Sequence, residues 1–108
     1  MKHQVRLTRD AAADLEEIGE FLFQREGPLR ADQILERLEK LVAGLSRLPG
    51  RGKVPPELER LGVTDYRQLV SEPWRIIYRV DGREVHVMLI VDGRRDMQSL
   101  LLRRLLGS

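Results

Sequence analysis

Cysteine is absent from the sequence, and histidine and aromatic residues are scarce. Without cysteine the chain can form neither disulfides nor thiolate metal sites. The two histidines, His3 and His86, lie too far apart in the chain to form a local metal-binding motif. We therefore expect neither a metal ion nor a cofactor.

Long hydrophobic runs are absent as well. The longest uninterrupted apolar run, from Val87 to Val91, is far too short to span a bilayer. Lys2, Arg6 and Arg9 interrupt the start of the chain, which argues against a secretion signal. We expect a cytoplasmic protein without membrane contact. Its 108 residues, 42% of them hydrophobic, suit one globular domain over residues 1–108.

The charge is nearly balanced in number but uneven in position. The formal net charge is +2, yet residues 1–50 carry eight basic and nine acidic side chains and residues 51–108 carry eleven and eight. Only three of the nineteen basic residues are lysines. Arginine suits bidentate contact with phosphate or carboxylate. Two explanations of the arginine excess stay open: selection for such contacts, and the codon usage of a GC-rich genome.

Two amphipathic helices are predicted in the first half of the chain, after a short strand at residues 5–7. Thr8 is the expected N-cap of the first helix, which ends at Gly27-Pro28, and the second helix is expected from about Leu29 to Pro49-Gly50. A linker of about three residues predicts an antiparallel hairpin. The first apolar stripe contains Ala11, Leu15, Ile18, Phe21 and Leu22, opposite a polar face of Asp14, Glu16, Glu17 and Glu20. The second stripe contains Ile34, Leu38, Leu41, Leu45 and Leu48.

The second half of the chain has the alternation typical of strands. Strands are predicted at residues 66–70, 74–80 and 84–91, with turns at Glu72-Pro73 and Asp81-Gly82. A long basic loop at residues 49–65 contains one helical turn near Glu57, and Asp96 is expected to cap a last helix. The order β-α-α-β-β-β-α predicts an α+β domain in which the helical hairpin packs on one face of a small antiparallel-rich sheet.

Five segments resemble the RelE/ParE toxin superfamily, in the order and spacing of that family. Together they cover nearly the whole chain, and they imply the same β-α-α-β-β-β fold. In the third of them Gln68 replaces the family's usual glutamate. The segments are Ala11-Ala-Ala-Asp-Leu-Glu-Glu-Ile18, Leu48-Pro49-Gly50-Arg51-Gly52, Tyr66-Arg67-Gln68-Leu69, Pro73-Trp74-Arg75-Ile76-Ile77-Tyr78-Arg79, which is the most specific, and Gly93-Arg94-Arg95-Asp96 before a leucine-rich tail.

The resemblance implies a growth-inhibiting toxin that a cognate antitoxin protein neutralises. Its members divide by target, since RelE-like toxins cut mRNA in the ribosomal A site and ParE-like toxins poison DNA gyrase. The expected target is therefore DNA gyrase or the ribosome with its mRNA. A toxin-like binding module that has lost its activity is a third alternative.

Basic side chains are the candidates for target binding. Arg75 and Arg79 share one face of their strand with Ile77. We expect a cluster of arginines on the uncovered face of the sheet, where it can bind RNA, DNA or an acidic protein surface. The alternative for each residue is a solvated face or loop with structural ion pairs. The candidates are Arg51, Lys53, Arg67, Arg75, Arg79, Arg94 and Arg95.

Acid–base groups for a ribonuclease are much scarcer than cations. Asp92 stands where many relatives have histidine, and the tail after Asp96 contains no histidine, tyrosine or lysine. His86 alternates with Met88 and Ile90 in its strand, so a packed structural histidine is expected. The catalytic residues are therefore unknown, and the pattern favours a ParE-like toxin that acts by binding. The other titratable groups are Tyr66 and Tyr78, expected in the core, and Glu57 and Glu59, weak candidates for a loop base.

Antitoxins of this family typically wrap the toxin with a segment that folds on contact. Such a segment can lay a helix between the two toxin helices or add a strand at the sheet edge. The candidate antitoxin-binding residues near the hairpin tip are Leu22, Phe23 and Leu29. Phe23 lies off the apolar stripe of its helix, so it is the best candidate for an exposed patch. The alternative for these residues is the hydrophobic core.

Overall fold

The computed structural model describes residues 2–107 and has the predicted order of elements. None of the helices in that range is long and apolar enough to cross a membrane. The elements are β1 (Gln4–Leu7), α1 (Arg9–Glu26), α2 (Pro28–Gly44), α3 (Pro56–Glu59), β2 (Tyr66–Ser71), β3 (Trp74–Asp81), β4 (Glu84–Asp92) and α4 (Met97–Leu106).

The helical hairpin is confirmed, and its ends follow from local capping. The Thr8 hydroxyl accepts a hydrogen bond from the Ala11 N–H at 3.1 Å, as an N-cap does. Gly27 alone joins α1 to α2, and its φ of 85° lies in the left-handed region that favours glycine. Pro28 then occupies the first turn of α2, where a backbone N–H has no acceptor within the helix, so the N–H that proline lacks is not needed there.

Two predictions about the hairpin are wrong. Helix α2 ends at Gly44, because hydrogen bonds between residues three apart tighten the chain at Leu45 and Ser46 and end the helical period. Leu48 therefore leaves the apolar stripe and is 62% exposed. Phe21 was expected in the stripe of α1, but it lies on the border of that stripe and is 53% exposed.

The four strands form one mixed sheet in the order β1-β4-β3-β2. Strands β2, β3 and β4 are antiparallel, whereas β1 pairs with β4 in parallel. A bulge at Met88 interrupts the β3–β4 register, since Tyr78 pairs with Val87 and the preceding Ile77 with Leu89. The bulge switches the faces of β4, so Ile90 packs in the hairpin-side core together with Val87. The expected alternation of His86, Met88 and Ile90 on one face is therefore wrong.

Both faces of the sheet carry a hydrophobic core. The core under the hairpin joins residues of α1 and α2 to Trp74, Ile76 and Tyr78 of β3. The core on the other face lies under α3 and α4 and contains Leu58, Tyr66, Ile77, Leu89, Val91, Met97, Leu100 and Leu101. The hairpin thus packs on one face as predicted, but the second face is not the uncovered face that the sequence suggested.

Candidate functional site

Arg75 is held in a closed network. Its guanidinium donates two hydrogen bonds of 2.8 Å to the Glu57 carboxylate, and its Nε donates to the Gln68 side-chain oxygen at 2.7 Å. The Arg75 and Glu57 side chains are only 12% and 16% exposed. Gly93 leaves room for this arginine, because a β-carbon there would lie 2.6 Å from Arg75 Cδ. Arg75 therefore ties α3 to the sheet, and the loop after β4 passes close to its side chain.

Arg51, Lys53 and Arg67 gather at the outer edge of β2, and we call them the basic loop surface. Lys53 forms an isolated bridge with Gln68 of β2, and Arg67 donates to the Gly52 carbonyl at 2.7 Å. All three side chains are exposed. None of the three forms an ion pair with another residue of the range 2–107, so their positive charges are not neutralised by a neighbouring carboxylate.

Tyr78 anchors the loop that carries this surface. Its hydroxyl donates to the Pro49 carbonyl at 2.7 Å and accepts from the Gly52 N–H at 2.8 Å. Gly52 must lack a side chain, since a β-carbon would lie 2.5 Å from the Gln68 carbonyl oxygen. Burial raises the pKa of the Tyr78 hydroxyl. The tyrosine is thus a buried structural residue, as expected, and it is not available as a general acid.

The remaining cations do not form the predicted arginine cluster. Arg67 lies opposite Tyr78 on the neighbouring strand, so its side chain is on the hairpin side of the sheet, whereas Arg75 and Arg79 lie on the α4 side. Arg79 is half-buried, and its Nε is buried without a hydrogen-bond partner among residues 2–107. Arg94 binds the Asp92 carboxylate, and Arg95 is exposed in the loop after β4. The basic candidates are therefore divided among two faces and two loops.

The titratable groups near these cations are poorly suited to acid–base catalysis. The Arg75 guanidinium holds the pKa of the Glu57 carboxyl below its usual range, and Arg94 does the same for Asp92. Both groups are therefore ionised at neutral pH and are weak bases. His86 Nε2 lies 3.1 Å from Glu84 Oε1. No cluster of three or more His, Asp or Glu side chains within the described residues could hold a metal ion.

An ion pair between Asp14 and Arg104 is a structural feature that the sequence patterns did not reveal. The Arg104 guanidinium donates to both Asp14 carboxylate oxygens, at 3.1 and 2.9 Å, and also to the Met88 carbonyl at 3.1 Å. Asp14 further accepts from the Ile90 N–H at 3.0 Å. The hydrogen bonds between β1 and β4 end at Val87. The Asp14–Arg104 ion pair thus provides hydrogen-bond partners for backbone groups of β4 beyond that residue. Asp14 was assigned to the solvent face, although its distance of four residues from Ile18 already placed it beside the apolar stripe.

The three candidate antitoxin-binding residues have different environments. Phe23 is 57% exposed and Leu29 is 73% exposed, so both present apolar surface at the hairpin tip. Leu22 is 3% exposed and belongs to the hairpin-side core, so the expectation that it offers docking surface has to be corrected. The reason is that Leu22 follows Ile18 by four residues and shares its buried face.

Comparison with known proteins identifies the family. Residues 5–97 match the model of the ParE toxin of the type II toxin–antitoxin system parDE. The chain belongs to the ParE toxin family. This ParE-family toxin is 30% identical over 94 residues to Toxin ParE3 of Caulobacter vibrioides, an alignment that covers 87% of this chain and 90% of ParE3.

Solved structures agree with this assignment. A chain of the chromosomal ParDE toxin–antitoxin system from P. aeruginosa is similar with a TM-score of 0.71 and 27% identity, over 84% of this toxin and 96% of that chain. The toxin–antitoxin complex RelBE2 from Mycobacterium tuberculosis has a TM-score of 0.62 and 25% identity, over 85% and 99%. A mutant of E. coli RelE in the free state, with 15% identity, a TM-score of 0.60 and 93% coverage of both chains, shares the fold.

Proposed function

We propose that this ParE-family toxin inhibits bacterial growth by binding and poisoning DNA gyrase in the cytoplasm, and that a cognate antitoxin neutralises it. The observation that supports the proposal is that Arg75, on the sheet, is bound by a carboxylate. A ribonuclease needs free cations to stabilise a charged phosphorane, but the guanidinium of Arg75, a candidate for that role on the sheet, is bound by Glu57. The neighbouring carboxyls have lowered pKa values and Tyr78 is buried, which favours inhibition by binding over RNA cleavage.

The basic loop surface supports the binding step. Arg51, Lys53 and Arg67 are exposed and lack ion-pair partners among residues 2–107. Arg51 and Lys53 project from a loop that the Tyr78 hydroxyl holds in place, and Arg67 lies beside that loop on β2. A preorganised group of cations loses little conformational entropy when it meets an acidic protein surface or nucleic acid. We assign target contact to this surface rather than to Arg75, whose side chain is structural.

Induction of the chain in a bacterial host without antitoxin tests the target. We expect loss of colony formation, filamentation, an SOS response and trapped gyrase–DNA complexes. The double variant Arg51→Gln/Lys53→Gln should weaken target binding by roughly tenfold for each lost cation contact, because charge-assisted contacts are the stronger ones. The variant Lys40→Gln/Arg47→Gln has the same charge change at one exposed position of α2 and one in the turn that follows it, and is the control.

Three results would contradict parts of the proposal. Cleavage of mRNA inside translated codons would identify a ribosome-dependent endonuclease instead. Normal growth would identify a toxin-like binding module without activity. If the Arg51→Gln/Lys53→Gln variant is as toxic as the wild type, these two residues do not contact the target. The gyrase assignment would then depend only on whether trapped gyrase–DNA complexes are found.

The hairpin tip is our candidate for apolar contact with the antitoxin. Phe23→Asp should weaken antitoxin binding roughly tenfold or more by calorimetry, because it removes an exposed aromatic anchor. Leu48→Asp is the matched control, since Leu48 is 62% exposed at the opposite end of the hairpin. Both variants should keep the fold. Equal affinity of the Phe23 variant and the wild type would exclude the tip from the interface.

A further inference from the structure

A cavity of about 410 Å³ lies between α1, α2 and the turn that joins β2 to β3. Its charged lining is unbalanced, with four guanidinium groups against two carboxylates. The arginines come from three separate parts of the chain that only the fold brings together. The charged residues are Arg25 and Glu26 of α1, Arg30 and Arg37 of α2, Glu72 of the turn, and Arg94 of the loop after β4.

Two of the four arginines, Arg25 and Arg37, form no ion pair within residues 2–107, whereas Arg94 is bound by the Asp92 carboxylate. Arg25 lies over the Phe21 ring rather than against a carboxylate. Arg30 pairs with Glu26 across 3.8 Å, but both side chains are about half exposed, at 49% and 48%, so the pair is weak. The lining is therefore complementary to an anionic ligand.

The uncharged wall of the cavity decides which kind of anion fits. Phe21, Trp74 and Ile34 contribute apolar surface between the arginines. Nucleic acid would use the aromatic faces for base stacking. The Arg25 guanidinium already covers the Phe21 ring with its carbon 5.4 Å from the centroid, and Trp74 is only 8% exposed. Arg25 thus occupies one face of Phe21, and Trp74 exposes too little surface for a base to stack on it, although a smaller apolar side chain can pack beside it.

We propose that this arginine-lined cavity binds an acidic peptide segment, in which carboxylates contact Arg25 and Arg37 and an intervening apolar side chain packs beside Trp74. The segment comes from a partner protein, and the antitoxin of the proposed function is that partner. The cavity adjoins the exposed hairpin tip, since Leu22 lines its wall and Phe23 is the next residue. A segment that binds in the cavity can therefore also contact the tip.

The single tryptophan of the chain, Trp74, reports binding directly through its fluorescence. The probe is a synthetic peptide of alternating glutamate and leucine, and its matched control replaces every glutamate by glutamine. We expect the acidic peptide to change Trp74 emission saturably, and rising salt to weaken it because partly exposed charges are screened. The glutamine peptide should bind at least tenfold more weakly, since each lost charged hydrogen bond changes affinity by roughly tenfold.

Arginine variants locate the binding to this cavity. Arg25→Gln/Arg37→Gln should bind the acidic peptide at least tenfold more weakly than the wild type, whereas Arg9→Gln/Arg47→Gln, with the same charge change on exposed residues outside the cavity, should bind as the wild type does. The single variant Arg37→Gln repeats the test at an exposed position whose guanidinium has no ion pair to lose within the described range. Circular dichroism checks the fold of each variant.

Three results would overturn the proposal: equal binding of the glutamine peptide, equal binding by the cavity and control variants, or tighter binding of a single-stranded oligonucleotide that competes at Trp74. Toxicity of the Arg25→Gln/Arg37→Gln variant is measured in parallel. Because neither arginine belongs to the basic loop surface, that variant should still stop growth. If induction of the wild type does not stop growth, the gyrase proposal is contradicted but the peptide-binding result is unaffected. The failure of one proposal can therefore be distinguished from the failure of the other.

Discussion

Asp14→Ala is expected to lower the free energy of unfolding by about 3 kcal/mol, the low end of the range for removing one partner of a buried ion pair, because this pair is largely rather than fully buried. The substitution leaves the Arg104 guanidinium, only 18% exposed, without its carboxylate. It also removes the acceptor of the Ile90 N–H, a backbone donor beyond the end of the β1–β4 pairing. Urea denaturation followed by circular dichroism measures the loss.

Two further variants separate the contributions to this effect. Asp14→Asn keeps an oxygen that can accept from Ile90 but removes the charge that raises the pKa of Arg104, so it should fall between the wild type and the alanine variant. Asp10→Ala is the matched control, because Asp10 is 74% exposed and lies 3.9 Å from Arg104. It should cost less than about 1 kcal/mol. Equal losses at positions 10 and 14 would show that the Asp14–Arg104 pair is not what holds α4 to α1.

Glu57→Ala is expected to lower the free energy of unfolding by about 3 kcal/mol, at the low end of the range for a buried pair. It breaks both hydrogen bonds to Arg75, and Gln68 alone cannot neutralise the remaining guanidinium. Glu59→Ala is the control, since Glu59 lies in the same short helix but is exposed. If the two alanine variants unfold at the same urea concentration, the Arg75 network contributes nothing to stability.

The same network predicts a dependence on pH. The pKa of Glu57 is lower in the folded chain than its ordinary value of 4.5, because Arg75 stabilises the carboxylate. The stabilisation is therefore fully present above pH 4.5 and is lost as the pH falls through the lowered pKa of the folded state. Below pH 4.5 the stability of the wild type should fall more steeply than that of Glu57→Gln. Parallel curves over this range would contradict the assignment.

Local signals in the sequence placed the elements well. Thr8, Gly27-Pro28 and Asp96 mark helix ends in the structure, and one turn of the sheet lies at Glu72-Pro73 as expected, whereas the other lies at Gly82-Arg83, one residue later than predicted. Caps and turns depend on residues within a few positions of one another, so a single sequence contains the information. The family resemblance carried by the five segments is confirmed by the ParE family match.

The candidate site was predicted only in part. The sequence singled out both Arg75 and Glu57, but it treated one as a target contact and the other as a possible base. Their pairing joins residues eighteen positions apart, and no local pattern encodes it. Arg67 was grouped with Arg75 because both lie on strands, whereas the register places them on opposite faces. Roles of surface cations depend on which neighbour neutralises them, and that is a tertiary property.

The sequence by itself determined the α+β class, the helical hairpin, the antiparallel strands and the toxin superfamily, since these rest on periodicity, capping and short motifs. Only the tertiary structure decided the parallel pairing of β1 with β4, the bulge at Met88 and the second core beneath α4. It also decided that Asp14 is largely shielded from solvent by its ion pair with Arg104 and that Arg75 is neutralised. The physical reason is that burial and ion pairing at these positions depend on contacts between residues far apart in the chain.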